Sequence, residues 1–299
     1  MAAATEDAAA KRSAAGVATL RFLGSFERDS SVRNPDRLSG RLLSRPMRVL
    51  ASVPPLRHVV RGIVRRRFPG GLEYHIARTR HLDQIVCDSL DSGVDQLVVL
   101  GAGYDTRAQR LLGDPPRARV LELDHPATLA RKRQGVERAF GGPPEHVEYV
   151  PIDFNEQELP EILGRVGYRT GDRALFLWEG VTMFITPGAV DRTLEGIASS
   201  AAAGSSIAFD YVARGALERP SDYYGGEQAA RHFAKTGEPW LFGIEPDSVV
   251  QFLSERGFDV VSHLTAADLE RQYLRRSDGE LLGHVPAFHG IVHAAVRHS

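Results

Sequence analysis

The sequence predicts an α/β fold, a mostly parallel sheet with helices on both faces. Three observations predict it. Five short apolar runs recur between residues 96 and 211, separated by stretches of helical periodicity. The first run, QLVVLG, drives straight into a glycine turn, Gly101-Ala102-Gly103. The composition, 42% hydrophobic and 25% charged, is that of an ordinary globular chain.

In chain order, residues 1–16 (MAAATEDAAAKRSAAG) are Ala-rich and carry scattered charges. They lack the apolar core of a secretory signal and read as a disordered tail, which makes a cytoplasmic location the expectation. Residues 17–70 read as a helical cap of several short helices broken by Pro35, Pro46, Pro54 and Pro55. Within it RGIVRRRF (61–68) is a basic stretch, either a solvated helix face or an anion-binding or lid surface. YHIARTRHLDQIVCDSL then places Ile76, Leu82, Ile85, Val86 and Leu90 at helical spacing.

The alternation follows. Strands are expected at QLVVLG (96–101), RVLELD (119–124), VEYVPID (147–153), RALFLWEG (173–180) and SSIAFDY (205–211). Helices are expected around 126–140, 156–167 and 187–202. Residues 212–245 are too long and too aromatic for a plain connection and read as an inserted lid. PDSVVQFLSERGF (246–258) reads as a helix. DVVSHLT and GIVHAAVR close the sheet as an antiparallel edge hairpin. Residues 71–299 thus form the main domain.

The 299 residues suit one enlarged domain or two small ones. The net charge of −1 supplies no global field to recruit nucleic acid or membrane. No apolar run approaches the roughly 18–20 residues of a membrane span. The one cysteine, Cys87, makes neither an internal disulfide nor a metal cage, so no metal is expected. Only Lys11, Lys132 and Lys235 among the 37 basic residues are lysines, which lowers the weight of any one arginine cluster.

A strand, a glycine turn and a helix form a nucleotide-binding arrangement, with the ligand beyond the carboxyl ends of the strands. Gly101 and Gly103 let the backbone turn and approach a ligand. A dinucleotide fingerprint wants a third glycine at 106, where this chain has Thr106. LELD ends the next strand with Glu122 and Asp124, the latter some 20 residues beyond Gly103, the spacing of a ribose-binding acid. A two-glycine turn with a ribose acid and no diphosphate site fits S-adenosylmethionine. PIDFN brings Asp153 to accept from adenine and Phe154 to pack beside the ring, with a helix cap as the alternative for Asp153. WEGVTMF brings Glu179 to the same crevice. HIARTRH offers Arg78 and Arg80, and Arg grips carboxylates in bidentate fashion.

Together, ARTRHLD, VVLGAGYDTRAQRL, LELDHP, PIDF, WEGVTMFI and GEPWLFGIEPDSVVQFLSERGF resemble the leucine carboxyl methyltransferase family, including its bacterial branch of S-adenosylmethionine-dependent O-methyltransferases, some acting on polyketide acids. The resemblance covers roughly residues 70–299. It implies a Rossmann-like class I methyltransferase sheet. It also implies that Arg78 grips the cofactor carboxylate, Gly101 and Gly103 line its methionine moiety, and Asp124 binds ribose with Glu122 in support. Asp153 and Phe154 then frame adenine, and Glu179 sits near the cofactor amino group. Asp105 is expected to cap a helix or order Arg107 rather than touch the cofactor. The sequence departs at Phe184, where the family often has tyrosine, and at Phe154, where leucine is common. Residues 1–70 match less well and are expected to shape the acceptor pocket.

The implied reaction is in-line methyl transfer to an oxygen of a small-molecule acceptor. A carboxylate is ionised at neutral pH and needs no base, only an orienting group, for which Tyr211 is a candidate along with Phe184. A phenol benefits from a base, for which His232, Tyr223 and Tyr224 are candidates. A nicotinamide-dependent dehydrogenase is disfavoured by Thr106 and by the lack of a Tyr-x-x-x-Lys pair. A non-catalytic S-adenosylmethionine-binding protein stays open because of Phe184. A nucleic-acid methyltransferase lacks its amine-site motif, and a protein-tail acceptor rests on analogy alone. The oligomeric state is left open.

Overall fold

The computed structural model describes residues 14–297. The expected disordered tail therefore lies outside the described residues up to position 13. Residues 14–16, assigned to that tail, are instead the start of helix α1, which runs over 14–24. The rest of the cap is α2 (Ser39–Leu42), α3 (Arg45–Ser52) and α4 (Pro54–Arg67), followed by the long α5 (Gly71–Asp91).

The sheet then begins. Its strands are β1 (Gln96–Leu100), β2 (Arg119–Asp124), β3 (Val147–Pro151), β4 (Ala174–Trp178), β5 (Ser206–Val212), β6 (Phe258–Thr265) and β7 (His289–Val296). The helices between them are α6 (Arg107–Arg110), α7 (Pro126–Phe140), α8 (Leu159–Arg165), α9 (Pro187–Ser200), α10 (Arg214–Glu218), α11 (Gly226–Thr236), α12 (Val249–Ser254) and α13 (Ala266–Tyr273).

The seven strands run in the order β3-β2-β1-β4-β5-β7-β6. The first five are mutually parallel, and β7 is antiparallel to both neighbours. The predicted antiparallel pair exists, but residues 266–288 with α13 join its strands in place of a hairpin turn, and at that side of the sheet β7 is interior and β6 forms the edge. The central strands read as continuous apolar runs because both faces are covered. Along β1, Leu97 and Val99 join the core under α5, while Val98 and Leu100 join the core under α8 and α9. That is the two-residue alternation of a strand read out as two separate cores.

Helix limits follow their punctuation. Pro126 opens α7 and Gly141, at φ 83°, ends it. Thr186 accepts from the Ala189 N–H at the start of α9, with Pro187 at its first position. The stretch expected to be helical over 246–258 splits into a 3-10 turn at Pro246–Ser248 and α12. The inserted region 212–245 carries α10, a 3-10 turn at Pro220–Asp222 and α11. Among the described residues, no helix is long and apolar enough to cross a membrane.

Candidate functional site

The strand order reverses between β1 and β4, which leaves a crevice beyond their carboxyl ends. A cavity of about 840 Å³ occupies it. The ends of β1, β2, β3 and β4 supply its floor. Ala14, Val17 and Arg21 of α1 close one side, and residues 237–239 with Leu241 close the other. The size suits one medium-sized organic ligand.

Gly101 takes φ 72°, and a Cβ there would sit 2.2 Å from Val181 Cγ2. Glycine is therefore required twice over, by conformation and by space. Gly103, at φ 45°, donates its N–H to Asp124 Oδ2 at 2.5 Å. Asp124 Oδ1 accepts the His125 N–H at 2.6 Å. The carboxylate is fixed from behind by two backbone donors and faces the cavity. Burial pushes its pKa above the usual carboxylate range. Glu122 does not line the cavity. It is fully buried one layer below and ion-paired to Lys132, whose ammonium also reaches the Ala102 carbonyl at 3.5 Å. Expected among the cofactor residues as a support for Asp124, Glu122 thus lies beneath the turn and away from the cavity wall.

Behind the glycine turn the site is built of alternating charges. Arg78, 4% exposed on α5, donates from Nη1 to Asp210 Oδ2 at 2.7 Å and places Nη2 3.0 Å from Glu179 Oε1. Glu179 Oε2 accepts from Arg107 Nη1 at 2.7 Å. These two arginines hold the Glu179 carboxyl far below its ordinary range against the opposing effect of burial. Arg107 is fully buried. It pairs with Asp105 and, at 2.8 Å, with Asp83, so Asp105 orders Arg107, although it also lines the cavity. Asp210 binds three partners, taking the Tyr74 hydroxyl at 2.6 Å and the Gly180 N–H at 2.5 Å besides Arg78. Arg80 serves elsewhere, donating to the Arg33 carbonyl at 3.1 Å.

At the end of β3 Asp153 closes a local turn rather than capping α8, whose N-cap is Glu158. Asp153 Oδ1 accepts the Asn155 N–H at 2.9 Å, and the residue still lines the cavity. Phe154 lines it too, its ring 6.3 Å from that of Trp178.

Two residues that the sequence reading missed belong to the site. Arg21, 3% exposed, lines the cavity and donates from Nη2 to the Tyr104 carbonyl at 3.0 Å. It lies in the irregular N-terminal region, where no motif marks it. Asp210 had a visible signal, a lone acid inside an apolar strand.

Of the acceptor-orienting candidates, Phe184 alone lines the cavity. Tyr211 is one residue along β5 from Asp210 and faces the opposite side of the sheet, where its hydroxyl meets His263 Nε2 at 2.7 Å. Tyr223 packs against Phe288, with ring centroids 6.3 Å apart, and His232 stacks edge-on to Phe68 at 4.4 Å on the surface. Tyr224 is 53% exposed, beside His284. Strand alternation turns Tyr211 away from the cavity, His232 of α11 lies against Phe68, and Tyr223 and Tyr224, just before α11, lie against Phe288 and His284.

These residues fit S-adenosylmethionine. The open glycine turn admits a thin methionine chain, and two buried guanidinium groups face the space for its carboxylate. Glu179 suits an ammonium group. Asp124 keeps unused acceptor capacity for ribose hydroxyls, and Phe154 with Ile152 gives an apolar wall for a base. Among the described residues there is no group of three or more His, Cys, Asp or Glu able to hold a metal.

Comparisons with known proteins agree. The leucine carboxyl methyltransferase family model matches residues 14–198, which takes in the helical cap that the quoted motifs left out. A protein of Mycolicibacterium smegmatis, provisionally named an S-adenosyl-L-methionine-dependent methyltransferase, is 28% identical over 56% of this chain and 62% of its own. YktD of Bacillus subtilis, provisionally named likewise, is 27% identical over 65% of this chain and 64% of its own. The chain thus spans under two thirds of these curated relatives. A crystal structure from Thermobifida fusca, described provisionally as a methyltransferase, shares the fold at TM-score 0.59 and 17% identity, covering 94% of both chains. A DUF574 family protein from Streptomyces avermitilis does so at TM-score 0.59 and 11% identity, covering 94% and 97%. With a seven-stranded class I methyltransferase sheet and a family match over most of its length, the chain belongs to the leucine carboxyl methyltransferase family.

Proposed function

We propose that the protein is an S-adenosylmethionine-dependent O-methyltransferase acting on a small-molecule carboxylate. The observation that carries the acceptor reading is the wall beside the methionine end. Val181, Phe184, Ile185, Pro239 and Leu241 are all apolar, and the tyrosine and histidine that line the same cavity, Tyr104 and His125, follow Gly103 and Asp124 at the glycine turn and the end of β2. An apolar wall of this kind suits an acceptor oxygen that arrives already ionised, as a carboxylate does at neutral pH.

S-adenosylmethionine, when bound, supplies a sulfonium methyl group already activated for displacement. The chain's own residues then have three tasks. Arg78 and Arg21 hold the carboxylate end, and Asp124 holds the ribose, which together fix the direction of transfer. The apolar wall excludes water and strips solvent from the acceptor oxygen. The insertion over 212–245 acts as the lid, since residues 237–239 and Leu241 complete the cavity.

A second reading has its own observation. Glu238 of the lid and Glu156, beyond the end of β3, also line the cavity, and either could take a proton from a hydroxyl acceptor. Titration calorimetry with S-adenosylmethionine and S-adenosylhomocysteine, with NAD and NADP as controls, tests the cofactor. Labelled-methyl transfer to a panel of carboxylic acids and phenols tests the acceptor. Ester products that survive Glu238→Gln and Glu156→Gln unchanged support the carboxylate reading. Ether products lost in either variant support the hydroxyl reading. Tight cofactor binding with no product from any panel member would favour a binding protein without turnover.

A further inference from the structure

The near-zero net charge of the chain hides a strong segregation. Between Asp36 and Glu73 the sequence has nine arginines and no acidic residue. The structure folds most of this segment into α3 and α4, and no residue of α4 is buried. Leu56, Val59, Val60, Ile63 and Val64 fall on one helical stripe of α4. Only one edge of that stripe is used by the fold, where Val60 and Val64 pack on the core. The other edge is open. Val59 is 61% exposed and Ile63 50%, and Val49 and Val53 of the α3 turn continue the strip.

Arg37 and Arg41 lie over the Phe26 and Phe140 rings, and the other seven arginines divide into two groups. Arg61 pairs with Glu27, Arg65 lies 3.2 Å from Glu73, and Arg57 covers the Phe26 ring. These pin α4 to the body. Arg45, Arg48, Arg66 and Arg67 are exposed and make no ion pair among the described residues. They flank the open aliphatic strip.

We propose that this α3–α4 face seats the protein on an anionic phospholipid surface. A surface helix with an open aliphatic edge rimmed by guanidinium groups matches an interfacial helix, with the aliphatic edge among acyl chains and the arginines at the headgroups. Charge decides against a second copy on the same face, since a two-fold contact would oppose two sets of unpaired arginines. Among the described residues nothing covers the open edge of the strip, which stands on a helix rather than in a groove, so a deformable layer fits it better than a folded acidic partner. This inference concerns a different face from the cavity and is independent of the methyltransferase reading.

The test is flotation of the full chain with vesicles of phosphatidylcholine alone and with 30 mol% phosphatidylglycerol added. Flotation is expected only with the anionic lipid and should fall steeply with salt. Arg66→Gln with Arg67→Gln should weaken partitioning by about thirty-fold, on the usual contribution of each cation near such a surface. Val59→Asp should weaken it as well. All three positions are exposed, so the melting temperature and cofactor affinity should be unchanged. No flotation with the anionic vesicles at low salt would overturn the proposal. So would a concentration-dependent dimer in sedimentation that Val59→Asp dissolves, which would give the face to a second copy. Binding to poly-glutamate without binding to vesicles would give it to an acidic protein.

Discussion

Arg78 and Asp210 meet at 2.7 Å beneath the cavity, α5 supplying one and β5 the other. Asp210 is wholly buried and also fixes the Gly180 N–H, so it sets both the guanidinium and the turn that carries Glu179. Asp210→Asn should keep the size and lose the charge. Cofactor affinity should fall by about ten-fold or more, since bonds to charged groups are worth roughly 1.5–3 kcal/mol. Calorimetry on a variant with native circular dichroism checks it. Arg78→Lys should lose a similar amount, because a single ammonium cannot face Asp210 and Glu179 together.

Asp124→Ala removes an acceptor from the Gly103 N–H and from any ribose hydroxyl. Binding of both S-adenosylmethionine and S-adenosylhomocysteine should weaken by at least about ten-fold. Unchanged affinity in a folded variant would remove Asp124 from the site.

Gly101→Ala should be among the most damaging small changes. The new Cβ would overlap Val181 Cγ2, and alanine at φ 72° adds roughly 1–2 kcal/mol of backbone strain. The double variant with Val181→Ala should recover the steric part and leave the strain. Thermal unfolding of the four proteins of the cycle separates the two.

Tyr211→Phe should leave turnover unchanged. It should cost about 1 kcal/mol of stability through the lost bond to His263. A loss of kcat would restore Tyr211 to the reaction.

His75 provides the pH test. Burial, with Arg78 nearby, lowers its pKa from 6.5 to about 3, and its Nδ1 sits 2.7 Å from the Gly71 carbonyl. The unfolded chain therefore binds the proton more readily than the folded one between these two values. Stability present above about pH 6.5 should be lost as the pH falls towards 3. His75→Gln should flatten that part of the profile in denaturant melts.

How much of this was legible follows from which signals are local. The five parallel strands were readable because burial on both faces makes them unbroken apolar runs. Helix α13 was missed because only Ala266 and Leu269 on it are buried, too little to show a period. Its signal was instead the reciprocal Thr265–Asp268 capping box. At the site, strand ends gave Asp124, Asp153 and Glu179, since the end of a strand in a parallel sheet has a predictable place. Tyr211 failed because two residues at one strand end point to opposite faces, and Asp210 was the one aimed at the crevice. Arg21 was out of reach because its place depends on how α1 lies over the finished sheet.

The strand order also bears on synthesis. β7 comes last in sequence yet stands between β5 and β6. A nascent chain that has released β6 has nowhere in the sheet to pair it, and β5 keeps one unpaired edge, until His289–Val296 has left the ribosome. The crevice strands can assemble earlier, but the sheet stays open until its final segment slides into an interior slot.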